Sequence, residues 1–404
     1  MRLRILHVAA GIDPAFGGVT QAVQTMIKGL SNHDINNEVV CLDDPNATFL
    51  TASFPIYALG PAKGPWCYSP KLLPWLRKHL YRYDAVIVHG LWLYHAYATK
   101  TAIRKERKKN RTSKEILSND SRMFVMPHGM LDPYFQKAEG RKLKAIRNFI
   151  YWKIFENSVV NNADALFFTC DEELRLAHQS FHPFIPKKEI VVGLGVDAPP
   201  AYSTPMTKAF LNFCPEILGR PYFLFLSRVH EKKGVDILIK AYRQILNKAT
   251  KEEIEMPALV IAGPGLDSDF GKEMIQIASE DEKLRGSVFF PGMLTGDAKW
   301  GAFYGCEVFV LPSHQENFGI AVAESLACSK PVLISNKINI WKDIETNAAG
   351  IVAQDSIRGT IELFERWLMS TKDEKEEMGR RARDIYESKF AIELVVKRLA
   401  EVLH

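Results

Sequence analysis

Short runs of β-branched, aromatic and aliphatic residues alternate along this chain with longer segments whose apolar positions recur every three or four residues. In the first half the runs predict strands at Ile5–Ala10, Glu38–Leu42, Ile56–Leu59, Ala85–His89, Met123–Met126, Ala165–Thr169 and Ile190–Val192. In the second half they fall at Tyr222–Ser227, Ala258–Ala262, Val288–Phe290, Val308–Leu311, Pro331–Ile334 and Gly350–Val352. Most are nearly continuous in apolar character, as strands covered on both faces must be. Helical periodicity marks Thr20–Leu30, Leu72–Tyr81, Val235–Leu246 and Ile320–Ala327, and a long stretch, Lys372–Leu403, with a candidate break near Ser388. Strands that alternate with helices pair in parallel through right-handed crossovers, so the expected class is α/β.

A length of 404 residues suits two domains better than one. The segment Ala198–Pro205 has three prolines in eight residues and is expected to exclude both helix and central strand. It divides the chain into a domain of residues 1–200 and another of 201–384, with a helix at about 385–404 left to pack back on the first. Two doubly wound domains facing each other would place a cleft at the carboxyl ends of both sheets, the usual ligand site of such sheets. An apolar content of 47% excludes disorder, and 25 Gly, 21 Pro and 6 Cys exclude a collagen-like or disulfide-stapled chain. The cysteines never form C-x-x-C, so they read as reduced core residues in a cytosolic setting. Basic residues precede a short apolar run at the N-terminus, but His7 interrupts it, and it reads as a first buried strand rather than a signal sequence. No run approaches the ~20 apolar residues of a membrane-spanning helix, so a soluble or at most peripheral protein is expected.

Two segments concentrate candidate chemistry. Ser227-Arg-Val-His-Glu-Lys-Lys-Gly234 leaves a predicted strand just before a predicted helix. Arg228 and Lys233 would stand there beside backbone N–H groups, a combination suited to a diphosphate, with a solvated surface turn as the even alternative. Pro312-Ser-His-Gln-Glu-Asn-Phe-Gly-Ile-Ala-Val-Ala-Glu324 follows the strand Val308–Leu311. Glu316 falls in a loop entering a helix and Glu324 about one and a half turns inside it. One carboxylate is placed to accept hydrogen bonds from a sugar and the other from a ribose, while amides around Asn317, Phe318, Gly319 and Ile320 would meet a phosphate. Asp267-Ser-Asp269 opens a helix and is explained by N-terminal capping rather than by metal binding. No zinc motif or nucleotide P-loop occurs, and no metal is expected.

Taken in order, Leu226-Ser-Arg228, Lys233-Gly234, Ile261-Ala-Gly-Pro-Gly265, Phe290-Pro-Gly292, Tyr304–Ser313 and Glu316…Glu324 make the second half resemble the GT-B glycosyltransferases of family 4. The resemblance implies two Rossmann-like domains across a deep cleft, and a retaining hexosyltransferase that uses a nucleotide-sugar donor, most often a UDP-sugar such as UDP-glucose, with no further cofactor. It assigns Arg228 and Lys233 to the donor diphosphate, Glu316 to the sugar hydroxyls, Glu324 to the ribose, and the backbone near Gly265 and Met293 to the nucleotide. In the first half, Ala15-Phe-Gly17-Gly18-Val19 matches the family's glycine loop near donor phosphate and acceptor, and His128 of Met126-Pro-His-Gly129 resembles its active-site histidine. One departure is Gly193-Leu-Gly-Val-Asp197, where many members have Asn-Gly-Val-Asp; Leu194 replaces the asparagine, and no donor contact is carried there. The implied acceptor is a glycan or lipid-linked glycan of envelope or extracellular polysaccharide assembly. The rivals are a sugar-nucleotide epimerase of the same fold and a non-enzymatic basic protein that binds membrane or nucleic acid.

Charge adds one feature. The net charge is +5, yet residues 100–153 alone hold 15 basic and 5 acidic side chains. In Arg141–Phe155 the cations alternate with Phe149, Tyr151 and Trp152, which suits an anionic bilayer at the inner face of the cell membrane. The slightly favoured alternative is an aromatic stripe facing the core with a wet basic back. Nucleic acid is not an expected partner.

Overall fold

The computed structural model describes residues 2–14, 17–112, 120–137, 142–251 and 255–404, with side chains for all of these except 111 and 112. The chain forms two compact units, one comprising the residues up to Gly195 together with Ile392–His404, the other Val196–Ala391.

The first unit is built on seven parallel strands: β1 (Arg4–Ala9), β2 (Asn36–Cys41), β3 (Ile56–Ala58), β4 (Ala85–His89), β5 (Arg122–Met126), β6 (Ala165–Phe168) and β7 (Glu189–Val191). Their order is β3-β2-β1-β4-β5-β6-β7, so β1 and β4 adjoin where the winding reverses. Alternate side chains feed two cores. Leu6, Val8, Val86 and Val88 point into the larger one, while Ala9, Val39 and Cys41 join Val23 and Ile27 of the helix Gly18–Ser31 on the other face. The closing helix Ile392–Leu403 covers that helix so tightly that a side chain at Gly29 would collide with Val396.

The second unit has six parallel strands: β8 (Tyr222–Leu226), β9 (Ala258–Ala262), β10 (Val288–Gly292), β11 (Val308–Leu311), β12 (Val332–Ser335) and β13 (Gly350–Ala353). Their order, β10-β9-β8-β11-β12-β13, reverses between β8 and β11. Strands β9, β11 and β12 are buried throughout, which explains their nearly unbroken apolar sequences. Helices Val235–Lys251 and Ile357–Met369 pack together over the sheet, Tyr242 against Phe364 and Phe364 against Phe223 of β8.

All thirteen predicted strands form, β4, β9 and β11 with the predicted ends and the others with ends displaced by no more than two residues. The proline segment needs a correction: Thr204–Leu211 is a helix, and Pro205 sits in its first turn, where a missing N–H costs no hydrogen bond. The C-terminal helical pattern divides into Lys372–Ile385, a π-helical turn Tyr386–Phe390 that contains Ser388, and Ile392–Leu403. Thr371 and Glu374 open the first piece with reciprocal capping bonds. Ser268, rather than either aspartate beside it, caps the helix Asp269–Glu280, and Asp269 lies in its first turn.

Candidate functional site

In the second unit Arg228, Lys233 and Glu316 lie on the loops that leave β8 and β11 where these strands adjoin, the switch point of a doubly wound sheet. The loop after β8 carries Arg228 and Lys233, and the loop after β11 carries Glu316. Their approach depends on Gly234, in the left-handed region at φ 69°, where a Cβ would stand 2.3 Å from the Pro312 carbonyl oxygen. Only glycine allows that spacing. The Lys232 carbonyl then accepts hydrogen bonds from the His314 N–H and the Ser313 hydroxyl, each at 2.9 Å, which ties the two loops together. Glu316 is also fixed through its backbone, its N–H donating to the Lys337 carbonyl and its own carbonyl accepting from the Asn339 N–H, both at 3.0 Å.

Within this frame the Lys233 ammonium contacts the Glu316 carboxylate directly. The lysine side chain is only 14% exposed. Its burial, and then the charges of Lys232 and Arg228, push its pKa down to about 7. Arg228 is exposed and forms no ion pair among the described residues. The arrangement is therefore one desolvated cation, one open cation and a carboxylate that holds the first in place.

Gly319 precedes the helix Ile320–Ala327, which has neither a side-chain cap nor an acidic residue in its first turn. Its leading amides are thus left for an anion. Phe318 is buried and meets the edge of Phe390, while Asn317 lies 3.4 Å from the Asn339 amide. Glu324, buried inside that helix, bonds the Lys299 ammonium at 2.6 Å. Lys299 was not foreseen; it comes from the helix Gly296–Gly305, and nothing in its local sequence signals the pairing. The loop after β9 reaches the loop after β8 because Gly263 adopts φ 143°, where a Cβ would overlap the Ser227 carbonyl, and the Val229 N–H donates to Pro264 at 2.8 Å. Gly265 lies against the Val229 carbonyl. Met293 follows β10 and is 61% exposed.

Gly17, Gly18 and His128 belong to the first unit, in loops that leave the carboxyl ends of β1 and β5. Gly17 and Gly18 open the uncapped helix Gly18–Ser31, again without an acid in its first turn. Ala15, Phe16 and Arg141 lie outside the described residues. The His128 turn is held by Glu173, whose carboxylate accepts from the Gly129 N–H at 2.5 Å and from the Thr169 N–H and hydroxyl at 2.7 and 2.6 Å. Burial pushes His128 down to about 4, so its imidazole is neutral at ordinary pH. Two further histidines, His7 and His89, stack in series with it, their ring centroids 5.2 and 5.3 Å apart. The interruption of the β1 apolar run by His7 was the one sequence sign of them.

Residues 213–385 match the family model of the glycosyl transferases group 1, and residues 17–195 match the glycosyl transferase 4-like domain. A D-inositol 3-phosphate glycosyltransferase of Corynebacterium jeikeium is 25% identical over 207 residues, covering 50% of this chain and 48% of that protein. The matched stretches span less than half the length of the curated relatives. Sucrose-phosphate synthase from Thermosynechococcus elongatus shares the fold with a TM-score of 0.73 at 19% identity, over 99% of this chain and 98% of that one. So does the Anabaena HepE protein, solved in complex with UDP and glucose, with a TM-score of 0.70 at 16% identity over 99% of both chains. Two parallel sheets that each reverse at a switch point, and family models matching both halves in order, lead to one assignment: the chain belongs to the group 1 glycosyltransferases and has their two-domain GT-B fold.

Proposed function

We propose that this chain is a retaining hexosyltransferase that takes a sugar from a nucleotide donor, a UDP-sugar such as UDP-glucose, and passes it to a glycan or lipid-linked acceptor. The observation that carries this reading is the Arg228, Lys233 and Glu316 cluster at the β8/β11 switch point. As the bond from the sugar C1 to the diphosphate breaks, negative charge grows on the leaving group. Lys233, Arg228 and the uncapped amides after Gly319 are preorganised where that charge develops, which is the largest electrostatic lever such a site has. Glu316 orients the sugar hydroxyls, and Glu324, held by Lys299, accepts from the ribose. Amides beside Gly265 and Met293 serve the rest of the nucleotide, and Gly17 and Gly18 let backbone approach phosphate and acceptor. His128 positions a hydroxyl of sugar or acceptor. No carboxylate is assigned as a covalent nucleophile, so attack on the same face is the proposed route to retention, with no metal ion assigned a part in it. That the Anabaena neighbour was solved with UDP and glucose supports UDP-sugars as the donors to try first.

A thermal-shift panel of UDP-, GDP- and ADP-sugars, followed by hydrolysis assays, tests the reading. One UDP-sugar should raise the melting temperature by several degrees and be hydrolysed slowly without acceptor. Stabilisation by none of them removes the donor assignment, and an epimerised sugar nucleotide formed without acceptor favours the epimerase.

The proposed place of work is the cytoplasmic face of the membrane, in envelope or extracellular polysaccharide assembly. Among the described residues no helix is long and apolar enough to cross a bilayer. Support for a peripheral contact comes from Lys142–Tyr151 and the π-helical turn Trp152–Glu156. Tyr151 and Trp152 are buried, as a core stripe requires, but Phe149 is not: Leu143 is 83% exposed, and Ile146, Phe149, Ile150 and Ile154 are each more than half exposed. Lys142, Lys144, Arg147 and Lys153 stand exposed among them. Nearby, a cavity of about 430 Å³ is lined by Lys100, Arg104, Arg107, Lys108 and Lys187. Apolar side chains beside unburied cations suit an anionic interface. Vesicles rich in phosphatidylserine should sediment the protein, and charge reversal at Lys142 and Lys144 should weaken binding at least about tenfold. Binding that is absent, or indifferent to those reversals, removes the membrane contact.

A further inference from the structure

Three imidazoles run in file across the first sheet and end at His128. The register that places Ala9 opposite His89 sets His7 of β1 beside His89 of β4. His7 Nδ1 lies 2.9 Å from His89 Nε2, and His89 Nδ1 lies 3.1 Å from His128 Nε2. At the far end His7 Nε2 is 3.0 Å from Asn37 Oδ1 on β2. His7 and His89 are almost wholly buried, and the rings are tilted by only 14° and 28° from one to the next.

The direction of these bonds follows from the Asn37 amide. Its nitrogen donates to the Ile35 carbonyl at 3.0 Å and to the Ser31 hydroxyl oxygen at 3.4 Å, and Ser31 spends its own proton on the Ile27 carbonyl. Oxygen must therefore face His7, and His7 Nε2 must carry a proton. A neutral imidazole has one proton, so His7 Nδ1 is an acceptor and His89 Nε2 is the donor. The same step repeated makes His89 Nδ1 an acceptor and His128 Nε2 a donor. His128 Nδ1 is left as a lone pair without a protein partner among the described residues.

We infer that Asn37, His7 and His89 are positioning residues that fix the proton of His128 on Nε2 and so present its Nδ1 as a hydrogen-bond acceptor to a substrate hydroxyl. The functional half rests on the reading of His128 given above. Neutrality is supported by burial, which pushes His7 and His128 each to about 4 and His89 well below its ordinary value. Among the described residues no carboxylate bonds any of the three rings, and the fourth histidine nearby, His95, donates from Nε2 to the His89 carbonyl at 2.9 Å. An imidazole whose tautomer is set from behind offers one fixed face to its ligand.

Long-range proton–nitrogen correlation on protein labelled with ¹⁵N-histidine tests this. His7, His89 and His128 should each show the Nε2–H tautomer, unchanged down to about pH 5.5. A His128 protonated on Nδ1, or an even mixture of tautomers, overturns the inference with no variant needed. Asn37→Leu removes the fixed acceptor and should mix the His128 tautomers, lowering kcat about tenfold, the worth of one hydrogen bond, with donor KM within about twofold. His7→Gln keeps a donor for Asn37 and an acceptor for His89, and should preserve both the His128 tautomer and kcat. Equal damage from both variants would mean packing alone and overturn the relay. Mixed tautomers in Asn37→Leu with unchanged kcat would instead overturn the assignment of His128 to substrate.

Discussion

Replacing Lys233 by alanine should lower sugar transfer about 100- to 1,000-fold and weaken UDP binding along with it. A preorganised charge at the developing anion of a leaving group is commonly worth that much when it is removed. Lys233 is suited to the role because its surroundings have already stripped its solvent: the side chain is 14% exposed, and burial with its cationic neighbours pushes its pKa to about 7. A diphosphate arriving there meets a cation poorly compensated by water, and its charge draws a proton back onto the lysine. The sign of the pH dependence follows. Lys233's contribution to UDP affinity is full below about pH 7 and fades above it, as the free protein loses that proton, by at most about tenfold per pH unit. Calorimetry in buffers of different ionisation enthalpy should accordingly detect proton uptake on UDP binding near pH 8 in the native protein and not in Lys233→Ala. Arg228 is exposed, so Arg228→Ala should cost less, about tenfold in both binding and transfer, with no proton linkage. UDP affinity that stays unchanged in both variants would contradict the phosphate assignment.

What was readable in advance divides along the line between local and distant information. Strands β4, β9 and β11 are buried from end to end, so their own composition declares them. The loops after β8 and β11 were readable because turn glycine, cations and carboxylates follow closely on such strands. The pairing of Lys299 with Glu324 was not, because it joins two helices whose relative placement no local pattern encodes. The histidine file was hidden for the same reason: its members come from β1, β4 and the turn after β5, and only the sheet register aligns them. The helix after Lys142 was legible only in part. Its apolar residues serve two faces, Tyr151 and Trp152 inward and Leu143, Ile146, Phe149, Ile150 and Ile154 outward, so apolar character alone does not say which face is covered. At Pro205 a proline read as a barrier to helix turned out to begin one, since the first turn leaves its N–H groups unused in any case.

Glu316 to alanine separates sugar recognition from nucleotide recognition, and it should lower transfer about 100-fold while leaving the UDP dissociation constant within about threefold. The loop will tolerate the loss. Its position is set by main-chain bonds from Glu316 to Lys337 and Asn339 and by the ties of Ser313 and His314 to the Lys232 carbonyl, none of which uses the carboxylate. What disappears is the partner of the Lys233 ammonium and the acceptor for sugar hydroxyls. Without that carboxylate Lys233 holds its proton less firmly, so the comparison belongs at a pH below the variant's own lowered lysine pKa, read from its UDP-affinity profile, where the lysine is charged in both proteins. There UDP, which has no sugar for Glu316 to hold, should bind both alike, whereas the UDP-sugar should lose its advantage over UDP in the variant. Glu316→Gln, which can still accept one hydrogen bond from the sugar, should recover part of the rate. Equal losses of UDP affinity and transfer in Glu316→Ala would place the carboxylate with the diphosphate cations as their structural support, and take the sugar-binding role away from it.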